Sequence, residues 1–357
     1  MSIQRDTRRY ENWLRKQCNV VEHDLDRKHK RMAGSSFMFL RATYYRWARK
    51  IEEWCPELSD APHVLAVGDV HTENFGIWRD KEGRLVWGIN DFDEAALMPY
   101  LFDLVRLATS ARLAPGLPLT SVEVGAAILG GYQRGLKKPR PTLLAEHKAW
   151  MRPLLDYSGK AGKKFWRKVS KYPEATPHPK AVAARLKESL PRHADIVRFC
   201  RRSVGGGSLG RPRFVAVAQW RGGYVLREAK AFVTSAWHWT HDQSPDHSGF
   251  MELTRGRYRS PDPFLETRDR FIYRRIAADA QKIELGERAG RHLHRALLDA
   301  MGFDLGAIHA AHPRHVREIR RDLKKRPRHW LAIASDTAAK NVRREYKSWR
   351  SAHRAKR

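Results

Sequence analysis

Cysteine is scarce in this chain: three in 357 residues, at Cys18, Cys55 and Cys200, with no C-x-x-C spacing among them. An odd, scattered set excludes a disulfide framework and a thiolate zinc site, and a reducing, cytoplasmic setting is the expectation. Long hydrophobic runs are lacking too. No stretch of about eighteen apolar residues occurs, so no membrane-spanning helix is predicted. The opening Met1-Ser2-Ile3-Gln4-Arg5-Asp6 has none of the apolar core of a secretory signal. Acidic residues are the remaining shortage, 39 Asp and Glu against 69 Lys and Arg, for a formal net charge of +30. That excess attracts polyanions such as nucleotides, nucleic acid or acidic membrane, although an arginine-rich solvated surface has the same composition. Hydrophobic residues at 42%, with twelve Trp and eleven Tyr, exclude a disordered chain. The length allows about two or three domains.

Against this cationic background, residues 57–103 stand apart. They hold ten carboxylates (Glu57, Asp60, Asp69, Glu73, Asp80, Glu82, Asp91, Asp93, Glu94 and Asp103) and three cations, Arg79, Lys81 and Arg84. Concentrated negative charge repels itself unless something positive sits within it, and a divalent cation is the expected occupant. Inside the stretch, Val67-Gly68-Asp69-Val70-His71-Thr72-Glu73-Asn74-Phe75-Gly76 is followed, seventeen residues after Asn74, by Asn90-Asp91-Phe92-Asp93. A carboxylate able to accept a hydroxyl proton, with an amide five positions later able to ligate magnesium, is the arrangement of kinase catalytic loops. Magnesium prefers hard oxygen donors and keeps several waters, so one carboxylate, one amide oxygen and phosphate oxygens make a sufficient shell.

The hydrophobic spacing gives the frame. Residues 1–33 read as a basic arm plus a helix, and Phe37, Leu40, Tyr44, Trp47 and Ile51 predict one amphipathic helix over 37–54. Val64–Val67 reads as a buried strand ending in Gly68-Asp69. Residues 75–78 and 85–89 form a hairpin about a Lys81-Glu82-Gly83 turn, and helices are expected over 101–113 and 122–135. Residues 136–171 are basic and proline-punctuated, a helical insert or a solvated surface. After a helix over 180–190 comes Ser203-Val204-Gly205-Gly206-Gly207-Ser208-Leu209-Gly210, then strands over 214–220 and 224–230. Residues 240–263 read as a long loop, and helices are expected over 267–280, 288–311, 313–326 and 330–350.

Gly68-Asp69-x-His71-x-x-Asn74, then Asn90-Asp91-Phe92-Asp93, then Asp103-Leu104-x-Arg106-Leu107 resembles the signature of aminoglycoside phosphotransferase-type kinases. The chain is more similar still to the uncharacterised bacterial domain-of-unknown-function family 2252, grouped with kinase-like folds. That likeness extends to Arg31-Met32 through Ser36-Phe37-x-Phe39-x-Arg41, to 205–210, to Leu226-Arg227-Glu228 and to Tyr273-Arg274-Arg275. It runs over roughly 28–310 and is strongest at 65–107. The resemblance implies an α+β, protein-kinase-like two-lobe fold using ATP and Mg2+. Asp69 would be the base, His71 a brace of the same loop, and Asn74 and Asp91 the magnesium ligands. Asp93 would serve a second metal or orient water, and Asp103 would accept hydrogen bonds from the loop backbone.

Gly205-x-Gly207-x-x-Gly210 before a strand, with Ser208, fits a loop whose N–H groups cover phosphates. It leads into a hairpin and not a βα unit, which disfavours a dinucleotide-binding fold. The loop comes about 135 residues after Asp69, the reverse of the usual kinase order. A circular permutation is therefore expected: 1–195 as the catalytic lobe, 196–285 as a small antiparallel β lobe covering the nucleotide, and 286–357 as basic helices packed on the catalytic lobe. Arg227 stands at the family-like position of the phosphate-anchoring lysine, Lys230 lies three residues on, and Glu228 or Glu284 is the expected partner of that cation. Arg274, Arg275 and Lys282 read as a phosphate-binding group or as a solvated helix face, and Arg41 as an internal ion pair or a ligand contact. The tail from Arg314 holds sixteen Lys or Arg against four acids. It suits nucleic acid or anionic lipid, without a recognised reader motif.

Four functions stay open at this level. They are an ATP/Mg2+ phosphotransferase with an unknown, anionic acceptor; a nucleotide sensor without transfer, since the standard lysine is missing; a metallophosphoesterase; and a basic nucleic-acid-binding protein. The third lacks the downstream Gly-Asn-His type of ligand block.

Overall fold

Thr43 divides the helix expected over 37–54. Its hydroxyl donates to the carbonyl of Phe39 at 2.7 Å, the local competition that β-hydroxyl residues offer to a helix, and its backbone leaves helical geometry at φ −126°, ψ 43°. Two helices result, and Arg41 at the end of the first is released toward the interior of the molecule. The computed structural model describes residues 1–155, 159–244, 246–283 and 290–354.

In chain order the N-terminal half comprises α1 (Ile3–Gln17), α2 (Glu22–Met32), α3 (Ser36–Ala42), α4 (Tyr44–Trp54), β1 (His63–Ala66), β2 (Phe75–Arg79), β3 (Leu85–Ile89), β4 (Ala96–Pro99), α5 (Tyr100–Leu113) and α6 (Ser121–Lys137). The middle adds β5 (Thr142–Leu143), α7 (Leu144–His147), α8 (Lys160–Ser170), α9 (Lys180–Glu188), β6 (Asp195–Arg201), β7 (Arg213–Trp220) and β8 (Gly223–Ala231). Then follow α10 (Ala236–Thr240), α11 (Ser248–Thr254), β9 (Glu266–Arg268), β10 (Phe271–Ile276), α12 (Arg291–His309), α13 (Pro313–Lys325) and α14 (Trp330–Arg354). The protein is α+β with antiparallel sheets.

The largest core is helical. α5 is buried on almost every side, including Asp103 and Arg106. It lies against α14 and α6, and α12 lies along α6. The α6–α12 approach needs glycine: a Cβ on Gly131 would lie 1.9 Å from the carbonyl oxygen of Asp299, and one on Gly302 2.1 Å from that of Ile128. α6 starts on a capping box, in which Glu123 accepts the N–H of Thr120 at 2.9 Å.

Three sheets among the described residues carry the polar segments. β1 pairs with β4, β2 with β3 and β3 with β5, all antiparallel. The third sheet has five strands in the order β6-β7-β8-β10-β9. Strand alternation explains its two faces. Ala216, Ala218 and Ala229 meet Val182 and Leu186 of α9, while Val215, Val217 and Leu226 meet Val169 of α8.

Further expectations fail here: residues Ile3–Gln17, read within a basic arm, form the helix α1 with Ile3, Tyr10 and Leu14 buried. The helix over 267–280 is instead the β9–β10 hairpin, which turns at Asp269 and Arg270 with φ of 49° and 61°. Its aromatic and β-branched residues, Phe271, Ile272, Tyr273 and Ile276, pair with β8. The expected loop over 240–263 contains α11. The expected domain boundary near 285 falls outside the described residues.

Candidate functional site

Asp103, in the first turn of α5, fixes the end of β1. Its two carboxylate oxygens accept the N–H groups of Val67 at 2.7 Å and Gly68 at 2.8 Å. His309 of α12 contacts the same carboxylate through Nε2 at 3.2 Å and meets the hydroxyl of Tyr132 through Nδ1 at 2.9 Å. Gly68 is required where it stands. Its φ is +79°, and a Cβ would lie 2.2 Å from the carbonyl oxygen of Glu94. The loop that leaves this anchor is thereby aimed into the interior, and Thr72 is held by the hydroxyl of Ser110 at 3.0 Å.

One helical turn beyond Asp103 lies Arg106, whose side chain is fully buried. Its Nε donates to Oδ1 of Asp69 at 2.9 Å, its Nη2 donates to the carbonyl of Leu40 at 3.0 Å, and its guanidinium lies over the rings of Tyr44 and Trp47. Burial raises the Asp69 carboxyl above its usual range, and the charge of Arg106 opposes that shift. His71 is buried and held well below its ordinary pKa, first by burial and then by the charges of Arg41, Arg106 and Lys282. Its Nδ1 accepts the N–H of Glu73 at 3.2 Å, so His71 is a neutral brace. Glu73 pairs with Arg41 at 2.6 Å.

Asn74 ties two loops together. Its side-chain nitrogen donates to the carbonyls of Asp69 at 3.1 Å and Asp91 at 3.0 Å. Its Oδ1 is buried and has no hydrogen-bond partner. Asp91 is 42% exposed at the side chain and lies 3.4 Å from Nζ of Lys230. Asp93 contacts the same ammonium, and Nη1 of Arg211 at 3.1 Å. Burial works against ionisation of Asp91, but Lys230, Arg274 and Arg213 outweigh it and hold the carboxyl below its usual range. Burial and the neighbouring Asp91 charge push the Asp93 carboxyl up from its usual range.

The acidic stretch is therefore neutralised largely from within the protein. Asp60, Asp69, Glu73, Asp80, Asp91, Asp93 and Glu94 face Arg326, Arg106, Arg41, Arg84, Lys230 and Arg211. Most of these cations come from distant parts of the chain, beyond the reach of a count confined to 57–103. Among the described residues, no cluster of three His, Cys, Asp or Glu is placed to hold a metal ion. The donors that remain are hard oxygens: the orphaned Oδ1 of Asn74, the part-exposed carboxylate of Asp91 and the buried, unpartnered Oδ1 of Asp93. They fit magnesium completed by phosphate and water, and do not fit a metal that needs an all-protein cage.

The glycine-rich loop closes over these groups. Gly205 has φ +96°, and a Cβ on Gly207 would lie 2.9 Å from the carbonyl of Arg41 and 3.5 Å from Oδ2 of Asp69. Helix α2 fastens the loop from outside: Lys28 donates to the carbonyl of Gly207 at 2.9 Å, Arg31 to that of Gly205, and Arg27 to the hydroxyl of Ser203 at 2.5 Å. Lys28 is buried over the rings of Tyr10 and Tyr45, and burial lowers its pKa to about 8. A single cavity of about 450 Å³ is lined by Asp69, His71, Asn74, Asp91, Asp93 and the loop from Val204 to Ser208.

Two expected members of the site stand elsewhere. Gly210 packs against α2, where a Cβ would meet Leu25 at 2.4 Å. Arg227 lies on the α9 face of β8, donating to the carbonyl of Ser189 at 2.9 Å and lying 4.0 Å over the ring of Phe264. Alternation places Lys230, and not Arg227, on the face turned toward the acidic residues. Glu228 pairs with Arg202, Arg213 and Arg274, and Glu284 lies outside the described residues. Arg274 and Arg275 belong to a strand, not to a helix face, and both line the cavity with Lys282.

Arg106, Lys28, Arg211, Arg202 and Arg213 had no assigned role in the sequence. Only Arg106 carried a signal, its i, i+3 spacing from Asp103 on one helix face.

The fold and cavity define an α+β protein whose polar cleft is built from two segments far apart in sequence. Residues 20–117 match the model of a family described as an uncharacterized protein conserved in bacteria (DUF2252). No curated protein and no solved structure matches the chain. No helix among the described residues is long and apolar enough to cross a membrane.

Proposed function

We propose that this protein is a nucleotide- and magnesium-dependent phosphotransferase with a circularly permuted kinase-like fold. The observation that carries the proposal is the single cavity in which a carboxylate, an orphaned amide oxygen, a second carboxylate and a glycine-rich backbone meet. The element order supports it as well. The glycine-rich loop joins the first and second strands of the five-stranded sheet, and Lys230 lies on the third, β8. That is the relation between phosphate-covering loop and anchoring lysine in protein kinases.

The residues divide the work by their surroundings. Oδ1 of Asp69 is occupied by Arg106, leaving Oδ2 beside Gly207 as the acceptor for a hydroxyl proton. Asn74 and Asp91 are the oxygen donors that would hold magnesium, with Asp93 beside them. The bound ion would supply charge neutralisation on the phosphate oxygens. Lys230 holds the Asp91–Asp93 pair, and the N–H groups of residues 205–208 cover the phosphate side of the cavity. His71 and Asp103 keep the loop in place without exchanging protons.

A second reading is a nucleotide sensor without transfer activity. It is favoured by the ammonium of Lys230 lying directly against Asp91 and Asp93, the carboxylates the metal would use. Purified protein with γ-labelled ATP and magnesium separates the two. Phosphoryl release or transfer that disappears in Asp69→Asn, with nucleotide binding retained, is expected. Binding without turnover in the unaltered protein supports the sensor. Failure to bind ATP, together with nucleic-acid affinity that falls steeply with salt, rejects both.

A further inference from the structure

The acidic end of the cavity is matched by a cationic end that the transfer chemistry does not use. Three guanidinium groups converge on one carboxylate. Glu228 accepts from Nε of Arg274 at 2.7 Å and Nη1 of Arg213 at 3.2 Å, and pairs with Arg202. Glu228 is fully buried and stays ionised, because the three arginines outweigh the burial that opposes its charge.

Three positive charges against one negative leave a surplus where water has little access, with the side chains of Arg213 and Arg202 only 5% and 16% exposed. The carboxylate of Asp91 also acts on Arg213 and Arg274, but Lys230 shares it at 3.4 Å. Ser208 accepts Nη2 of Arg213 at 2.6 Å, and Tyr172 accepts Nε of Arg202 at 3.1 Å, but both are neutral. Across the β7–β8 ladder Arg213 stands opposite Lys230, a like-charge pairing that costs stability. Nε of Arg213 is buried with no hydrogen-bond partner. Such a donor on a charged group is costly unless an anion completes it. All three arginines line the same cavity as the glycine-rich loop.

The geometry points to an anion subsite formed by Arg202, Arg213 and Arg274, which takes a phosphate-type dianion without the help of a metal ion. Guanidinium forks suit such a ligand because they donate in pairs to its oxygens. The subsite shares its cavity with the phosphotransferase reading, and it names a phosphate group as part of what that cavity binds. The group has two possible sources: the phosphate tail of the nucleotide, or a phosphate carried by the acceptor.

The test is calorimetric titration of the full chain with inorganic phosphate, at low salt and with a chelator present. Saturable binding is expected, at least tenfold weaker in Arg213→Met and intermediate in Arg213→Lys, which keeps the charge but not the fork. Thermal melts check that the variants are folded, and Arg274→Met, at a more exposed position, replaces Arg213→Met if that variant is not. Absence of saturable binding, or unchanged affinity in a folded variant, overturns the subsite. ATP titrated without metal under saturating phosphate identifies the source. Competition assigns the subsite to the nucleotide tail, simultaneous binding assigns it to the acceptor, and either outcome upholds it. Phosphate binding without any ATP turnover removes the transfer reading and leaves the subsite standing. Turnover without phosphate binding does the reverse.

Discussion

Asp69 and Asp91 belong to the same acidic stretch and face the same cavity, yet they are neutralised in different ways. The partner of Asp69 is Arg106, fully buried on the helix that also supplies Asp103. Asp69, Arg106 and the Asp103 anchor all lie within residues 67–106, with Leu40, Tyr44, Trp47, Ser110 and His309 completing the assembly from outside that stretch. The partner of Asp91 is Lys230, from a strand of the five-stranded sheet far along the chain. The first site is built by local geometry around a fully buried guanidinium, with the Asp69 side chain 21% exposed to the cavity. The second exists only when two remote segments meet, and its Asp91 side chain is 42% exposed. In the proposed transfer reaction Asp69 would be the rigid proton acceptor and Asp91 the open side of the cation site, the division that phosphoryl transfer asks of a protein.

Substitutions can break this contrast in order of severity. Asp103→Ala strips the N–H groups of Val67 and Gly68 of their buried acceptor and is expected to cost about 3–5 kcal/mol in urea unfolding. Asp103→Asn is expected to be milder, because it keeps one acceptor oxygen. Arg106→Leu leaves Asp69 buried without its counter-charge and should cost about 3 kcal/mol. It should also raise the Asp69 pKa further, visible as an upward shift in the acid limb of any activity profile.

Lys28 sharpens the comparison from the glycine-loop side. Its folded pKa of about 8 is depressed by burial, so between about pH 8 and 10.5 the unfolded chain binds more protons than the folded one. Stability should therefore rise with pH across that window, by about 3 kcal/mol relative to Lys28→Met. Parallel urea denaturations of the two proteins at several pH values measure the difference. Lys230→Met should weaken ATP–magnesium affinity about tenfold, while Arg227→Ala, on the opposite face of β8, should leave it unchanged. Equal effects of the two would contradict the strand register that separates them.

What the sequence made legible follows the same division. The strand into Gly68, the hairpin through Gly76 and Gly88, and the helix carrying Asp103 were readable, because each depends on spacing within a short segment. The choice between Arg227 and Lys230 was not readable. It turns on which face of β8 meets the acidic residues, and a shift of one residue reverses that answer. The cluster around Glu228 was hidden for a related reason: its three arginines come from β10, β7 and the residue after β6, and no local pattern joins them. The expected helix over 267–280 gave way to strand because Ile272 and Tyr273 pair with β8, a contact across the chain that no local spacing shows. The neutralisation of the acidic stretch was hidden as well, because most of its cations, Arg41, Arg106, Lys230, Arg211 and Arg326, lie outside it.

The central claim is that the acidic loops and the glycine-rich loop bind one nucleotide between them. Amide hydrogen exchange followed by mass spectrometry, with and without ATP and magnesium, tests it most directly. The account predicts that peptides covering 67–74 and 204–208 gain protection together, at the same nucleotide concentration. Protection confined to one of the two segments, or to neither, would contradict it.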